Sequence, residues 1–236
     1  MSHTVEYRGN RSRYQYREER TTAMAASLRK FRAPSAADWD TVYREGLPPW
    51  EMGIPSPALE EFLKRELIRK GSVLELGCGT GADAVLLAQK KFDVTAIDFA
   101  PTAIERARTR AQRAGARLCL VLEDVFLYNY KGATFDLVYD CGFYQYVRLW
   151  ELSRLLDLLW RVTKPGSYYL SVSYCGTEEF PGLTSVTEDN IRWELGRLFE
   201  LKELSTFRFY SPLQRKEIDG ISALLYRPEP KRTEKQ

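Results

Sequence analysis

The stretch VLELGCGTG, Val73 to Gly81, constrains this chain more than any other. Four residues of strand character run into glycines at 77, 79 and 81, which strips side chains from alternate positions where the strand ends. Bare main chain at that point lets another group approach closely, and the helix-like run ADAVLLAQK that follows sets it near a helix N-terminus. Around this turn the sequence alternates strand-like and helix-like segments. SPALEEFLKRELIRKG opens on Pro57 at a first helical position, carries Leu59, Phe62, Leu63 and Leu67 on one face, and predicts a helix ending at Gly71. DVTAID (Asp93 to Asp98) reads as a second strand, and PTAIERARTRAQRAG as a helix from Pro101 to Gly115. LCLVLED and FDLVYD read as the third and fourth strands. A Leu-rich helix over Glu151 to Val162 stops at KPG before the strand YYLSVSY. Ser185 with Glu188 three residues on reads as a capping box, and two late strands, around Glu200 to Phe209 and Ile221 to Arg227, follow. Strands alternating with helices of this length predict a mostly parallel sheet covered on both faces.

At 236 residues the chain suits one large domain. No apolar run approaches the roughly 18 to 20 residues that span a bilayer, and Met1 to Arg20 lacks an apolar core of the secretory kind. The four cysteines, Cys78, Cys119, Cys141 and Cys175, form no CxxC pair, and the single histidine is His3. That pattern argues against a disulfide framework and a metal site, and points to reduced thiols and a cytoplasmic location. The net charge of +3 is uneven: residues 1–36 carry seven Arg and one Lys against three Glu, which leaves −2 for the remainder. Residues 1–36 are therefore expected to be a basic, disordered tail whose interleaved Tyr and Arg only weakly indicate nucleic acid, and 229–236 a second tail.

In such a sheet ligands bind outside the carboxyl ends of the strands. Asp98, Asp124 and Asp140 each read as the last residue of a strand, so three carboxylates and the glycine turn converge on one crevice. Gly77-x-Gly79-x-x-Ala82, with Asp98 21 residues after Gly77, satisfies the relaxed dinucleotide fingerprint. Against that reading, the single domain leaves no second catalytic domain, and none of the fourteen tyrosines has Lys four residues later. A crevice rimmed with carboxylates also repels a pyrophosphate. A ligand with a cationic centre and a ribose suits it better.

VLELGCGTG, with Glu75 two residues before the first glycine, the Asp98 strand end, the EDV strand end and FDLVYD before a helix, resembles the class I S-adenosylmethionine-dependent methyltransferases over about Trp39 to Arg227. The resemblance implies a Rossmann-like α/β domain over 37–228, its seven-stranded sheet mostly parallel with the last hairpin strand antiparallel and helices on both faces. It further implies S-adenosylmethionine held by Gly77, Cys78, Gly79 and Gly81, with Glu75 organising the loop beneath the amino group. Asp98 would accept the ribose hydroxyls, Asp124 the adenine amine, and the Val125 amide would meet a ring nitrogen. Phe99 and Phe126 would flank the adenine, although core packing explains Phe126 equally well. WDTVYREGLPPWEMGIPSP resembles the segment that precedes the first motif in the thiopurine and thiol/halide branch, which implies a lid over 37–57 carrying Trp39 and Trp50.

Asp140, Tyr144 and Tyr146, in DCGFYQYV, are the expected catalytic groups, Asp140 being also an expected cofactor-binding residue, where relatives often carry a histidine and this chain has Gln145. With no imidazole base available, the acceptor is expected to be a small molecule with a thiol or another soft nucleophile. Trp50, Phe143, Tyr144, Tyr146, Tyr174 and Phe180 supply aromatic walls, and Arg148 and Arg192 are candidates to attract an anionic acceptor. An O- or N-methyltransferase of a small metabolite, a cofactor-binding module without chemistry and an RNA-associated enzyme stand as alternatives. A nucleic-acid acceptor and a membrane are not expected; a monomer or weak dimer is.

Overall fold

A computed structural model describes residues 35–46, 48, 50–176, 185–211 and 216–229. Residues 1–34 of the expected basic tail, residues 230–236 of the second tail and Phe180 lie outside them. The chain begins with helices α1 (Ala36–Glu45) and α2 (Pro57–Lys64), followed by strand β1 (Ser72–Leu76) and helix α3 (Ala82–Gln89). Strand β2 (Asp93–Asp98), helix α4 (Pro101–Arg113) and strands β3 (Cys119–Leu122) and β4 (Phe135–Cys141) come next. Helices α5 (Phe143–Val147) and α6 (Leu152–Val162) lead to β5 (Thr163–Tyr174), α7 (Glu188–Glu194) and the hairpin β6 (Glu200–Ser211) and β7 (Lys216–Tyr226).

The seven strands form one sheet in the order β3-β2-β1-β4-β5-β7-β6, in which only β7 runs against its neighbours. The chain moves outward from β1 to β3 and then returns to the other side of β1, so the order reverses between β1 and β4. That is the switch point at which an open sheet leaves a crevice at its carboxyl edge. Side chains alternate across the sheet. Val73, Val94 and Leu137 pack with Leu59, Phe62, Leu87 and Ile104 on one face. Leu74, Ile97 and Val138 pack with Leu155, Leu158, Leu159 and Val162 of α6 on the other. Burial on both faces is why the central strands are nearly all apolar.

Three sequence expectations shift. The helix opened by Pro57 ends at Lys64, with Glu66 in the left-handed region (φ 50°) and Leu67 exposed. The capping box sits two residues later than Ser185: Thr187 caps α7, accepting the Asn190 N–H while the Asn190 side chain accepts the Thr187 N–H. KPG does not separate helix from strand, because β5 starts directly after α6. A register shift between Phe135–Thr163 and Leu137–Tyr168 absorbs these residues as an irregularity in the ladder.

Candidate active site

A cavity of about 760 Å³ opens over the carboxyl ends of β1, β2 and β4. Its floor is the turn after β1. Gly77, Gly79 and Gly81 all have positive φ, and two of them are bare because the protein itself fills the space. A Cβ on Gly77 would lie 2.9 Å from the Phe143 ring, and one on Gly81 would lie 2.8 Å from Ala107 of α4. The turn is thus clamped between α4 and α5 while its main chain faces the cavity.

Asp98, ending β2, fastens the turn. One carboxylate oxygen accepts the Gly79 N–H (2.9 Å) and the other the Ala100 N–H (2.9 Å). A carboxylate has about four lone-pair sites, so each oxygen keeps capacity for a ligand hydroxyl. Burial pushes the Asp98 pKa up to about 6 against the lowering effect of the Ala100, Gly79 and Phe99 amides. Glu75 shares the Val73 face of β1 and borders the cavity only 3% exposed, with Oε2 buried and without a partner among the described residues. Burial, and then Asp83, Asp98 and Asp140, hold its pKa well above the carboxylate range. Asp83 of α3 accepts the Ser56 N–H (2.7 Å) and the Tyr139 hydroxyl (2.8 Å), and burial raises its pKa to about 6. Burial disfavours the charged form of each of these acids, so an incoming cation would favour their ionisation.

The opposite wall comes from α1 and the strap that follows it. Trp39 meets Trp50 edge-on with centroids 5.1 Å apart and meets Tyr146 of α5 at 4.9 Å. Tyr43 stacks edge-on to Trp50 at 6.4 Å and accepts its indole N–H at 3.5 Å. Helix α4 holds this unit down. Asp40 accepts the Thr102 N–H (2.7 Å), Arg106 donates to the carbonyls of Tyr43 and Gly46, and Arg110 donates to those of Thr80 and Gly53. The Thr80 hydroxyl closes the link by donating to Glu51.

The expected residues Trp39, Trp50, Glu75, Gly77, Cys78, Gly79, Gly81, Asp98, Phe99, Asp124, Val125, Phe126 and Tyr146 all border this cavity. Asp124 stands two residues beyond β3 rather than at its end, and one of its oxygens accepts the Phe126 N–H at 2.8 Å. The Phe126 ring lies 6.3 Å from Phe143 and under the Arg154 guanidinium at 4.4 Å.

Asp140 and Tyr144 are corrections, since neither borders the cavity. Asp140 follows Val138 onto the α6 face, fully buried, where it accepts the Tyr144 N–H (2.9 Å) and the Tyr169 hydroxyl (2.7 Å). The Tyr144 hydroxyl donates to Glu194 at 2.8 Å, away from the crevice. Arg148 and Arg192 also stand clear of it, paired with Glu194 and Glu188. Gln145 does reach the cavity, and its carbonyl accepts the Tyr174 N–H at 2.8 Å. Tyr43, Asp83, Arg106 and Arg110 were not anticipated. The only available signal was their spacing: Tyr43 lies four residues after Trp39, and Arg110 four after Arg106, so each pair shares a helix face.

The arrangement suits a ligand that carries positive charge and paired hydroxyls. A methyltransferase-domain family model matches residues 73–166. The probable thiol methyltransferase 2 of Arabidopsis thaliana is 28% identical over 145 residues, 59% of this chain. That alignment spans 62% of the relative, less than two thirds of its length. The 2-heptyl-1-hydroxyquinolin-4(1H)-one methyltransferase of Mycobacteroides abscessus is 24% identical over 70% of this chain and 74% of its own. A structure solved in work on the conversion of a disulfide bond into a thioacetal group during echinomycin biosynthesis superposes with a TM-score of 0.70. It is 26% identical and covers 82% of this chain and 93% of its own. Among the described residues no helix is long and apolar enough to cross a membrane, and no group of three or more His, Cys, Asp or Glu is arranged to hold a metal.

Proposed function

We propose that this chain, which belongs to the class I S-adenosylmethionine-dependent methyltransferases, moves a methyl group to a small-molecule acceptor, and that the acceptor atom is a thiol or another soft nucleophile. The observation that carries the reading is the pairing of Asp98 with Glu75. One carboxylate fastens the glycine turn and retains capacity for two hydroxyls, and beside it a buried acid oxygen has no partner within the described protein. Bound S-adenosylmethionine supplies an electrophilic methyl on a positively charged sulfur.

The residues bind, orient and exclude water. Asp98 would take the ribose hydroxyls as charge-assisted bonds, and Glu75, ionised by a nearby cation, would face the amino group. Asp124, Val125 and Phe126 would hold the base, with Phe99 on the α4 side. Trp39, Tyr43, Trp50 and Tyr146 border the cavity, where their rings would attract a cation and keep water from the reacting line. With Asp140 and Tyr144 turned into the core, Tyr146 is the one residue of the three expected catalytic groups that reaches the cavity, where it would position the acceptor. A tyrosine with a reference pKa near 10 is a poor proton acceptor, which favours acceptors needing little deprotonation. The similarity to a plant thiol methyltransferase supports a sulfur acceptor. The similarity to a hydroxyquinolone methyltransferase supports the second reading, an oxygen or nitrogen on a small ring system. Four free thiols support a cytoplasmic location.

A panel assay with methyl-labelled S-adenosylmethionine across thiol, selenol, halide, hydroxyl and amine acceptors tests the reading, with transfer to at least one thiol expected. Calorimetry showing a nicotinamide dinucleotide in the cavity, with S-adenosylhomocysteine ignored, would overturn it.

A further inference from the structure

The glycine turn, Asp98 and Asp124 follow or end β1, β2 and β3, so the proposed cofactor groups lie on one side of the switch point and the side toward β6 is left for the acceptor. There the cavity wall includes Cys141, Val172, Tyr174, Phe207, Phe209 and Ile218. Cys141 pairs with Val172, Tyr174 with Gly220, Gly220 with Phe207, and Ile218 with Phe209. Residues paired across a ladder, and residues two apart on a strand, share a face, so these six side chains make one wall across four strands. Phe207 accordingly packs on the Val172 cluster, and Phe209 on Tyr174 and Ile218. Val172, Tyr174 and Ile218 are buried, whereas Phe207 and Phe209 are only half-buried, with rings 5.9 Å apart and tilted 33°. Those rings are apolar surface left for a ligand to cover.

One position makes room for this wall. Gly220 lies inside β7 without a positive φ, so its backbone does not call for glycine. A Cβ there would, however, lie 2.5 Å from the tip of the Phe207 ring. The missing side chain lets that tip rest over β7 instead of standing out into the cavity. Neighbouring strands lie about 4.8 Å apart, so the two spacings from β4 to β7 span about 10 Å. We propose that this wall binds an extended apolar body of the acceptor, whose nucleophilic end lies at β4 and whose far end reaches Phe207 over β7. Gly220 then sets the length accepted, by fixing how far the Phe207 ring stands off the sheet. The proposal rests on the methyltransferase reading and narrows its acceptor class from any soft nucleophile to one carrying an apolar chain or ring of that length. Sulfide and halide would leave the wall uncovered.

The test is titration calorimetry on the full chain saturated with S-adenosylhomocysteine, using ethanethiol, butanethiol and hexanethiol as probes. A fully buried methylene is worth about fourfold in affinity, so each added carbon should tighten one-to-one binding by about two- to fourfold up to hexanethiol. In Gly220→Ala the new Cβ meets the free end of a side chain and not main chain, so the ring gives way into the cavity and the fold holds. Hexanethiol should then bind no tighter than butanethiol, with ethanethiol within about twofold of wild type. Phe207→Ala probes the same contact without crowding. It should weaken hexanethiol by about three- to tenfold while S-adenosylhomocysteine affinity holds. No thiol binding, no gain in affinity with chain length, or a gain that both variants leave intact overturns the proposal while leaving the methyltransferase reading in place. Wild-type protein that fails to bind S-adenosylhomocysteine overturns both.

Discussion

Each oxygen of Asp98 already accepts a backbone N–H, from Gly79 and from Ala100, so the residue ties the turn to β2 before any ligand arrives. Replacing it affects both duties. Asp98→Asn retains one acceptor oxygen but loses the charge and the second acceptor. Hydrogen bonds to charged groups are worth about 1.5–3 kcal/mol, so S-adenosylhomocysteine affinity should fall by about 10- to 150-fold in calorimetry. Unchanged affinity would remove Asp98 from the ribose site. Tyr144 tests the opposite case. Its hydroxyl serves Glu194, so Tyr144→Phe should cost about 1–3 kcal/mol in urea unfolding and leave kcat and KM near wild type. A fall in kcat with stability unchanged would return Tyr144 to the reaction. These residues also show where sequence reading stops. The glycine turn and Asp98 were legible because motif spacing along one chain fixes them. Asp140 was misread because the last position of a strand is visible in sequence, whereas the face that its side chain joins depends on Tyr144 and Tyr169, which the fold brings to it.

The strap over the cavity is held from one side by a single helix face. Arg106 and Arg110 of α4, four residues apart, reach the carbonyls of Tyr43, Gly46 and Gly53. Arg110 also donates to the carbonyl and the hydroxyl of Thr80, which joins the strap to the glycine turn. Arg110→Ala removes these bonds without touching the cavity, since Arg110 is not part of its wall. Dissociation of S-adenosylhomocysteine, followed by stopped-flow fluorescence of Trp39 and Trp50, should quicken by about three- to tenfold if the net worth is one ordinary hydrogen bond. An unchanged rate would mean that the aromatic contacts alone hold the strap. At this scale the elements with local signals were readable: Pro57 and Pro101 do open helices, and the Leu spacing of α6 does give a buried stripe. The elements that tertiary packing decides were not. Nothing local in RELIRKG stops a helix at Lys64, and the irregularity that admits KPG into β5 exists only because β4 runs alongside.

Taken as one molecule, the protein concentrates acids at its centre. Asp83, Asp98 and Asp140 are each pushed up to about 6 by burial, and Glu75 is held well above its ordinary range by burial and by those three. Raised folded-state values mean that the folded protein binds these protons more tightly than the unfolded chain does. For the three aspartates the resulting contribution to stability is complete below about pH 4 and is lost as pH rises through about 6, and for Glu75 the loss extends further above the ordinary carboxylate range. A cationic ligand has the reverse requirement, because it is stabilised by the ionised forms. The two dependences should separate in a thermal-shift series from about pH 4.5 to 7.5. Over that range the ligand-free protein should lose the share of its stability that these groups supply, while the Tm increment from S-adenosylmethionine grows and then levels above about pH 6. S-adenosylhomocysteine lacks the sulfonium and keeps only the ammonium, so its increment should grow less steeply over the same interval. Calorimetry near pH 5.5 in two buffers of different ionisation enthalpy should show protons released on binding, as carboxyls ionise to meet the cation. If both ligands give increments that do not change with pH, the acids are fixed structural groups, and charge complementarity is not what selects the ligand. If the two ligands respond in parallel, the acidic wall meets the ammonium alone, and the neutral faces of Trp39, Tyr43, Trp50 and Tyr146 hold the sulfur without help from charge.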